Sequence, residues 1–356
     1  MPPSARRRAL LPALALIALL VPAVAASAKS PDVTVMTRNL YLGADLDPLI
    51  AAATTNPATV PFVAGTTFGH VVANDFPARA QAIAAEVAAR QPDLIGLQEV
   101  STFSFGAFNN PAPATTPVID YLQILQATLA AAGLHYAVVS NPNVEADNEV
   151  PAILGPNPAT DFHDIRLTTS NAILARTDRP GLTVSNPQGA PFANQVSVLG
   201  QPTSRNWQTV DVTADGKRFR FLNSHLEAFA GNEAVRTAQA RELAAGPLQS
   251  TLPVVAVGDF NSNPGSATGG AYGVLTSPSQ GKLRDAWTAT HPGDPGLTCC
   301  RAELLSVADA PFDQRLDLVL GVPQVKAQSA TIVGLAQVAG RYPSDHAGVV
   351  STLRVP

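Results

Sequence analysis

Six short apolar runs in this sequence end on, or are broken by, a side chain able to handle protons, cations or directed hydrogen bonds. Val33–Arg38 leads to Asn39, Asp93–Gln98 to Glu99, and Phe219–Ser224 to His225. Val254–Gly258 leads to Asp259 with Asn261 two residues on, Asp317 lies inside Arg315–Leu320, and Ser344-Asp345-His346 stands just before Gly348–Leu353. Glu99, Asp345 and Asn39 are hard oxygen donors of the kind that suit Mg²⁺, Mn²⁺ or Ca²⁺, and the sequence has no Cys/His cluster that would select zinc. His225 and His346 can exchange protons near neutral pH. Asp317 can hold one imidazole in a fixed tautomer, and Asp259 can orient or deprotonate a water that Asn261 helps to position. A metal, a directed water and a general acid together describe the hydrolysis of a phosphate ester.

Taken singly, each residue has an ordinary explanation. A lone Asn or Glu at a strand end is commonly a turn residue, and Gly258-Asp259-Phe260-Asn261 also reads as a turn. A strand aspartate such as Asp317 needs a partner, for which Arg315 is near in sequence. Six such positions in one order are hard to obtain from turn chemistry alone.

The elements that must position them alternate along the chain. Strands are expected at Val33–Thr37, Leu94–Leu97, Ala137–Val139, Ala172–Ala175, Thr209–Val212, Phe219–Leu222, Val254–Val257, Leu316–Leu320 and Gly348–Leu353, each bounded by polar, Gly or Pro residues. Helical periodicity marks Pro77–Arg90, Ile119–Ala132 and Asn232–Ala245. The Pro-, Gly- and Asn-rich stretches 101–117, 141–163, 185–203 and 261–281 read as long surface loops. Interleaving over the whole length gives one α/β domain with no internal break, its polar strand ends forming a pocket at one rim.

Composition narrows the function. The 356 residues carry 23 Lys+Arg against 27 Asp+Glu, a net charge of −4, and only 14% of residues are charged where about 25% is usual. That balance excludes a disordered chain and a protein held on nucleic acid by bulk electrostatics. Arg6, Arg7 and Arg8, the apolar run Ala9–Val21 and the small-residue run ending at Ala28 form an expected signal peptide, residues 1–28, leaving a domain over 29–356. Its loss takes three arginines, so 20 basic side chains face 27 acidic ones, a net charge of −7. The expected product is secreted and monomeric, without a stable membrane span. Adjacent Cys299 and Cys300 admit either a vicinal disulfide or two buried thiols.

The motifs Arg38-Asn39-Leu40, Gln98-Glu99-Val100, Asn223-Ser224-His225-Leu226, Gly258-Asp259-Phe260-Asn261, Arg315-Leu316-Asp317 and Ser344-Asp345-His346 together resemble those of the endonuclease/exonuclease/phosphatase superfamily, the deoxyribonuclease I-like enzymes. The resemblance runs from Val33 to Leu353, and the stretches Val35–Asp45 and Gly296–Cys300 resemble exported actinobacterial members. It implies a four-layer α/β sandwich, two packed mixed β-sheets flanked by helices. It implies metal binding by Glu99 with Asn39 and Asp345, and handling of the attacking water and phosphoryl oxygens by Asp259 and Asn261. It further implies a His346–Asp317 pair, His225 as a second acid/base or phosphate-contacting imidazole, and Arg205 as a phosphate contact. One departure stands out: Thr168–Asn171 holds no acid where the nucleases place a carboxylate for the first histidine, leaving Asp164, Glu145, Asp147 or Glu149 as substitutes.

Superfamily members act on DNA, RNA, sphingomyelin and inositol phosphates, so the implied activity is a secreted Mg²⁺-dependent phosphodiesterase or nuclease. The alternatives are a sphingomyelinase-like or inositol-phosphate-type phosphoesterase acting on phospholipid or a small ester, and a non-catalytic binding protein on the same fold. His70, His135, His163 and His291 read as surface or loop histidines, Asp45 and Asp47 as solvated, and Trp207 and Trp287 as core or rim aromatics. Phe103, Phe105 and Phe108 form a weak apolar-loop candidate for lipid contact.

Overall fold

Val33 and Val35 point to one side of their strand and Met36 to the other, and this two-residue alternation recurs in most of the central strands. In the computed structural model, which describes residues 32–141, 143–157, 160–198, 200–265, 270–307 and 311–356, the alternation sorts the apolar side chains into three buried layers. The expected signal peptide lies outside the described residues.

Along the chain the elements are β1 (Asp32–Asn39), α1 (Asp47–Thr55), α2 (Val60–Ala73), α3 (Phe76–Arg90), β2 (Leu94–Ala107), β3 (Thr116–Asp120), α4 (Tyr121–Ala131), β4 (Tyr136–Val138), β5 (Asn143–Ile153) and β6 (Phe162–Arg176). They continue as β7 (Leu182–Pro191), β8 (Ser197–Val198), β9 (Gln201–Pro202), β10 (Asn206–Ala214), β11 (Lys217–His225), α5 (Glu233–Ala245), β12 (Val254–Asp259) and α6 (Ala271–Thr276). The last are β13 (Arg284–Asp285), α7 (Ala286–Thr290), β14 (Asp317–Gly321), β15 (Lys326–Val333) and β16 (Gly348–Arg354).

One sheet has the order β15-β16-β1-β2-β6-β4, with β3 on β2 and β5 on β6; the other has the order β13-β14-β12-β11-β10-β7. Between them Val33, Val35 and Ile173 of the first sheet meet Val210, Phe219, Phe221, Val255 and Val257 of the second. The outer face of the first sheet, with Met36, Ile95 and Leu97, is covered by Ile83 and Val87 of α3 and Leu125 of α4. The outer face of the second, with Leu222, Ala256 and Leu318, is covered by Ala240 and Leu243 of α5 and Val274 of α6. Each such large apolar side chain contributes about 1.5–3 kcal/mol on burial. The result is the expected four-layer sandwich of two mixed sheets flanked by helices.

The expected loops differ most. Residues 101–107 continue β2, and 143–153 form β5 as a polar edge strand on a lengthened β6. Pro151 and three acidic side chains hid β5, and both are tolerated because its outer edge is unpaired. β7 occupies much of 185–203 and α6 part of 261–281. Helices α1 and α2 carry no strong apolar stripe in the sequence, and Asp317 opens its strand instead of lying within it.

Candidate active site

Strand pairing brings three of the expected residues into one row. β11 and β12 run parallel with His225 opposite Asp259, and β12 and β14 run antiparallel with Asp259 opposite Asp317. A Cβ on Gly258 would collide with the Ser224 carbonyl, so the glycine before Asp259 is what lets these strands approach closely at that point. Asp317 Oδ2 lies 2.8 Å from His346 Nδ1. Asp259 Oδ2 stands 3.7 Å from His225 Nε2 and 3.7 Å from His346 Nδ1, a carboxylate between two imidazoles. Asn261, with φ of +48°, folds back so that its N–H donates to Asp259 Oδ1 at 3.0 Å and its Nδ2 to the Leu226 carbonyl at 3.1 Å.

The facing sheet supplies the rest of the rim. β1 and β2 run parallel with Asn39 opposite Gln98, so Glu99 emerges one residue beyond. The β2–β6 pairing shifts register between Leu97 and Val100, and Glu99 adopts φ of +55° there; such a bulge re-aims a side chain. Glu99 accepts from Leu42 N at 2.8 Å and from Asn39 Nδ2 at 3.0 Å. Asn39 also donates to Asp259 Oδ2 at 3.0 Å while its Oδ1 accepts from Tyr41 N at 2.8 Å. Asn39 therefore turns its N–H₂ to two carboxylates and its oxygen to the Tyr41 N–H, so that it brackets Glu99 and Asp259. Asp345 accepts from Ser344 Oγ at 3.2 Å.

His225 and Arg205 form a buried cluster with Glu145. Arg205 Nη1 lies 2.7 Å from His225 Nδ1 and 3.2 Å from Glu145 Oε2. The same Nη1 lies 3.3 Å from His225 Nε2, so the guanidinium stands against the edge of the ring that Glu145 also approaches. Glu145 also accepts from Asn171 Nδ2 at 2.7 Å and lies 3.3 Å from His225 Nδ1. Of the four acids open as substitutes, the structure brings Glu145 to the histidine. Asp147 pairs with Arg166, Glu149 accepts from Ala114 N, and Asp164 stays in β6 opposite Pro151. Arg205 was expected to meet a phosphate; its Nη1 is instead committed to Glu145 and His225.

The charges at the rim do not balance. The Glu145 carboxyl is held below the usual range: burial raises it, but His225, Arg205 and Asn171 outweigh burial. Asp259 is likewise lowered, burial being outweighed by His346 and His225. Burial raises the Asp317 carboxyl, its Oδ1 being buried without a partner, despite the pull of His346. For His346 burial disfavours the charge, but Asp317, Asp259 and Asp345 push it well above its ordinary value, so the ring is cationic at neutral pH. The Asp345 carboxyl is pushed up to about 6: burial raises it, His346 pulls against this, and the charge of Glu99 adds to the rise.

The carboxylates of Glu99, Asp259, Asp317 and Asp345, one oxygen of Asp317 being buried without a partner, supply hard oxygen donors that fit a divalent cation. Asp259 and Asp317 together with His346 each offer a ligand atom within 4.8 Å of the others, a group that does not include Glu99 or Asp345. Cys299 and Cys300 are paired with each other, so the vicinal disulfide is the alternative found, and their sulfurs stand 3.5 and 3.9 Å from His346 Nε2.

Several supporting residues have no role of their own in the sequence reading, although Arg38 and Asn223 stand inside its motifs. Asn223 bonds the carbonyls of Leu97 and Ala172 and the amide of Gln98, tying the two sheets together. Arg38 Nη1 donates to the His346 carbonyl at 2.7 Å, and buried Arg79 donates to the carbonyls of Leu40, Tyr41 and Pro343. Arg315 pairs with Asp285 at 2.6 Å, not with Asp317. His70 lies on α2 against Glu303 at 2.7 Å and His163 lies in β6 against Phe105, both in regular elements. Asp45 and Asp47 are exposed, Trp287 is buried, and of the three phenylalanines Phe103 is buried and Phe108 exposed.

Comparison with known proteins agrees with this architecture. A model described as the Endonuclease/Exonuclease/phosphatase family matches residues 68–346. An endonuclease/exonuclease/phosphatase family protein from Bacteroides thetaiotaomicron is similar at 17% identity and a TM-score of 0.56, over 92% of this chain and 99% of that one. D. rerio TDP2 complexed with single strand DNA product is similar at 18% identity and a TM-score of 0.54, over 90% and 98% of the two chains. The human Nocturnin catalytic domain with bound sulfate anion is similar at 19% identity and a TM-score of 0.51, over 91% and 93%. No curated protein matches the sequence. No helix among the described residues is long and apolar enough to cross a membrane.

Proposed function

The chain belongs to the endonuclease/exonuclease/phosphatase family and is a metal-dependent phosphoric ester hydrolase, and from that premise we propose an exported phosphodiesterase that directs a water against a phosphodiester. The observation that carries the reading is Asp259, lowered in pKa and 3.7 Å from each of two imidazoles at the meeting of the sheet ends. On this reading Asp259 orients the water and accepts its proton, and Asn261 fixes the carboxylate through its backbone N–H. His346, held as a cation by Asp317, neutralises the phosphoryl oxygens, and His225 serves the phosphoryl group as a second acid/base. Glu99 and Asp345 would hold the ion, Mg²⁺ with Mn²⁺ or Ca²⁺ as alternatives, with Asn39 bracing Glu99. When bound, such an ion supplies positive charge to the phosphoryl group.

Export rests on the leader of residues 1–28, with its basic start and small-residue end. Nucleic acid is supported as a substrate by the single strand DNA product held by the D. rerio TDP2 neighbour. The full set of strand-end residues argues against a non-catalytic binding protein. Release of 4-nitrophenolate from a generic phosphodiester tests the chemistry: excess chelator abolishes it, and Glu99→Ala or His346→Ala lowers it at least about 10²–10³-fold, the scale of a lost transition-state group. Full activity in chelator ends the reading.

A further inference from the structure

Beside the rim a cavity of about 380 Å³ opens between α1, α2 and the ends of β2, β5 and β6, within the size range of small-molecule sites. Its wall is hydrocarbon: Leu49 and Ile50 of α1, Phe68 of α2, and Phe103, Ile165 and Leu167 of the sheet. Phe68 packs edge-on against Phe103 at 5.7 Å, so the wall is built and not a gap between loops. Its lining also includes Glu99 and the Glu145–Arg205 pair that contacts His225. The apolar space therefore opens on Glu99, which Asn39 Nδ2 joins to Asp259 at 3.0 Å on each side.

We propose that the cavity takes the hydrocarbon part of the substrate, making the preferred substrate a phosphodiester with an alkyl or acyl chain; this rests on the phosphodiesterase reading above. The charged lining, Glu99, Glu145, Glu149 and Arg205, is acidic on balance and offers no positive track to a polynucleotide backbone. Single-stranded nucleic acid is bound by a positive groove with stacking rings. This wall has no net positive charge, and aliphatic side chains make up most of it. A chain threaded past Leu49 and Phe68 places its phosphate at Glu99, where the ion and the directed water act.

The test is a series of n-alkyl 4-nitrophenyl phosphodiesters from methyl to octyl. Each added methylene raises kcat/KM about fourfold until the cavity is filled, from the free energy of burying one CH₂. Leu49→Gln and Ile50→Gln flatten the series and leave methyl ester turnover unchanged. Binding is read separately by calorimetry, where n-octyl phosphate binds at least about tenfold more tightly than methyl phosphate on the same scale. Sphingomyelin vesicles against the dissolved octyl ester tell a bilayer source from a soluble one. A flat series with intact methyl ester turnover overturns the proposal and leaves the phosphodiesterase standing. Equal binding of octyl and methyl phosphate also overturns it, as does an oligonucleotide preferred over the octyl ester. No turnover of any ester with octyl phosphate still bound sinks the catalytic reading and keeps the cavity.

Discussion

Glu145 keeps its charge although its side chain is only 1% exposed. A buried carboxylate survives only when it is paired and hydrogen-bonded, and here Arg205 and Asn171 meet that requirement. The consequence reaches His225: Arg205 Nη1, balanced by Glu145, lies 2.7 Å from His225 Nδ1, and Glu145 itself lies 3.3 Å from that atom, so the pair fixes where the ring sits. Glu145→Gln keeps the shape and removes the charge, leaving Arg205 unbalanced against His225. The expected outcome is a fall in kcat of about 10²-fold or more, the worth of a positioned proton donor, with chelator sensitivity retained. A shifted pH–rate profile separates this from a purely structural loss, and wild-type kcat in Glu145→Gln would remove His225 from the mechanism. The sequence left four acids open for this place. What distinguishes Glu145 is a register shift in β5 between Val144 and Ala146, which no residue type announces.

The same device serves the other sheet pair, where the register shift between Leu97 and Val100 turns Glu99 to the rim. The short apolar cores of β1, β10, β11, β12 and β16 were legible because nearly all of their residues are buried, so each reads as a short apolar run bounded by polar residues. The long polar extensions of β2, β5 and β6 were not, because they project beyond the sandwich and lack a second apolar face. α1 and α2 carry no clear apolar stripe, although Ala64 and Val71 of α2 join the core, because apolar side chains such as Phe62 and Val72 also lie on the exposed face. The sheets themselves are held at the site by Gly96 and Asn223. A Cβ at Gly96 would stand 2.5 Å from Val257 Cγ2 and 2.6 Å from Asn223 Oδ1. Gly96→Ala must therefore push the sheets apart or displace Asn223 from the carbonyls of Leu97 and Ala172. The expected cost is about 1–3 kcal/mol for overpacking with a further loss of about 1–3 kcal/mol if the buried amide loses its partners. Denaturant titration checks it: an unchanged midpoint would mean that the sheets tolerate the added methyl.

At the scale of the whole molecule the scarce positive charge is the telling quantity. The net charge of −4 over 356 residues, and the −7 expected once the leader is removed, leave little to follow a phosphate backbone. Arg205 at the site is already balanced by Glu145. Salt dependence counts such contacts, because each neutralised phosphate releases counterions and adds about 0.7 to the slope for single strands. A protein gripping six to ten phosphates loses about 10³–10⁵ in affinity between 50 and 200 mM salt. With one phosphate met by the site, the same change lowers kcat/KM on a single-stranded oligonucleotide only about threefold, and the octyl ester is affected no more than that. Initial rates at fixed divalent ion across this range decide the matter. A steep loss confined to the oligonucleotide would reveal a basic track and make the protein a nuclease by grip as well as by chemistry. A shallow slope shared by both substrates places recognition in the site and its apolar cavity, where a single phosphodiester is held by what flanks it.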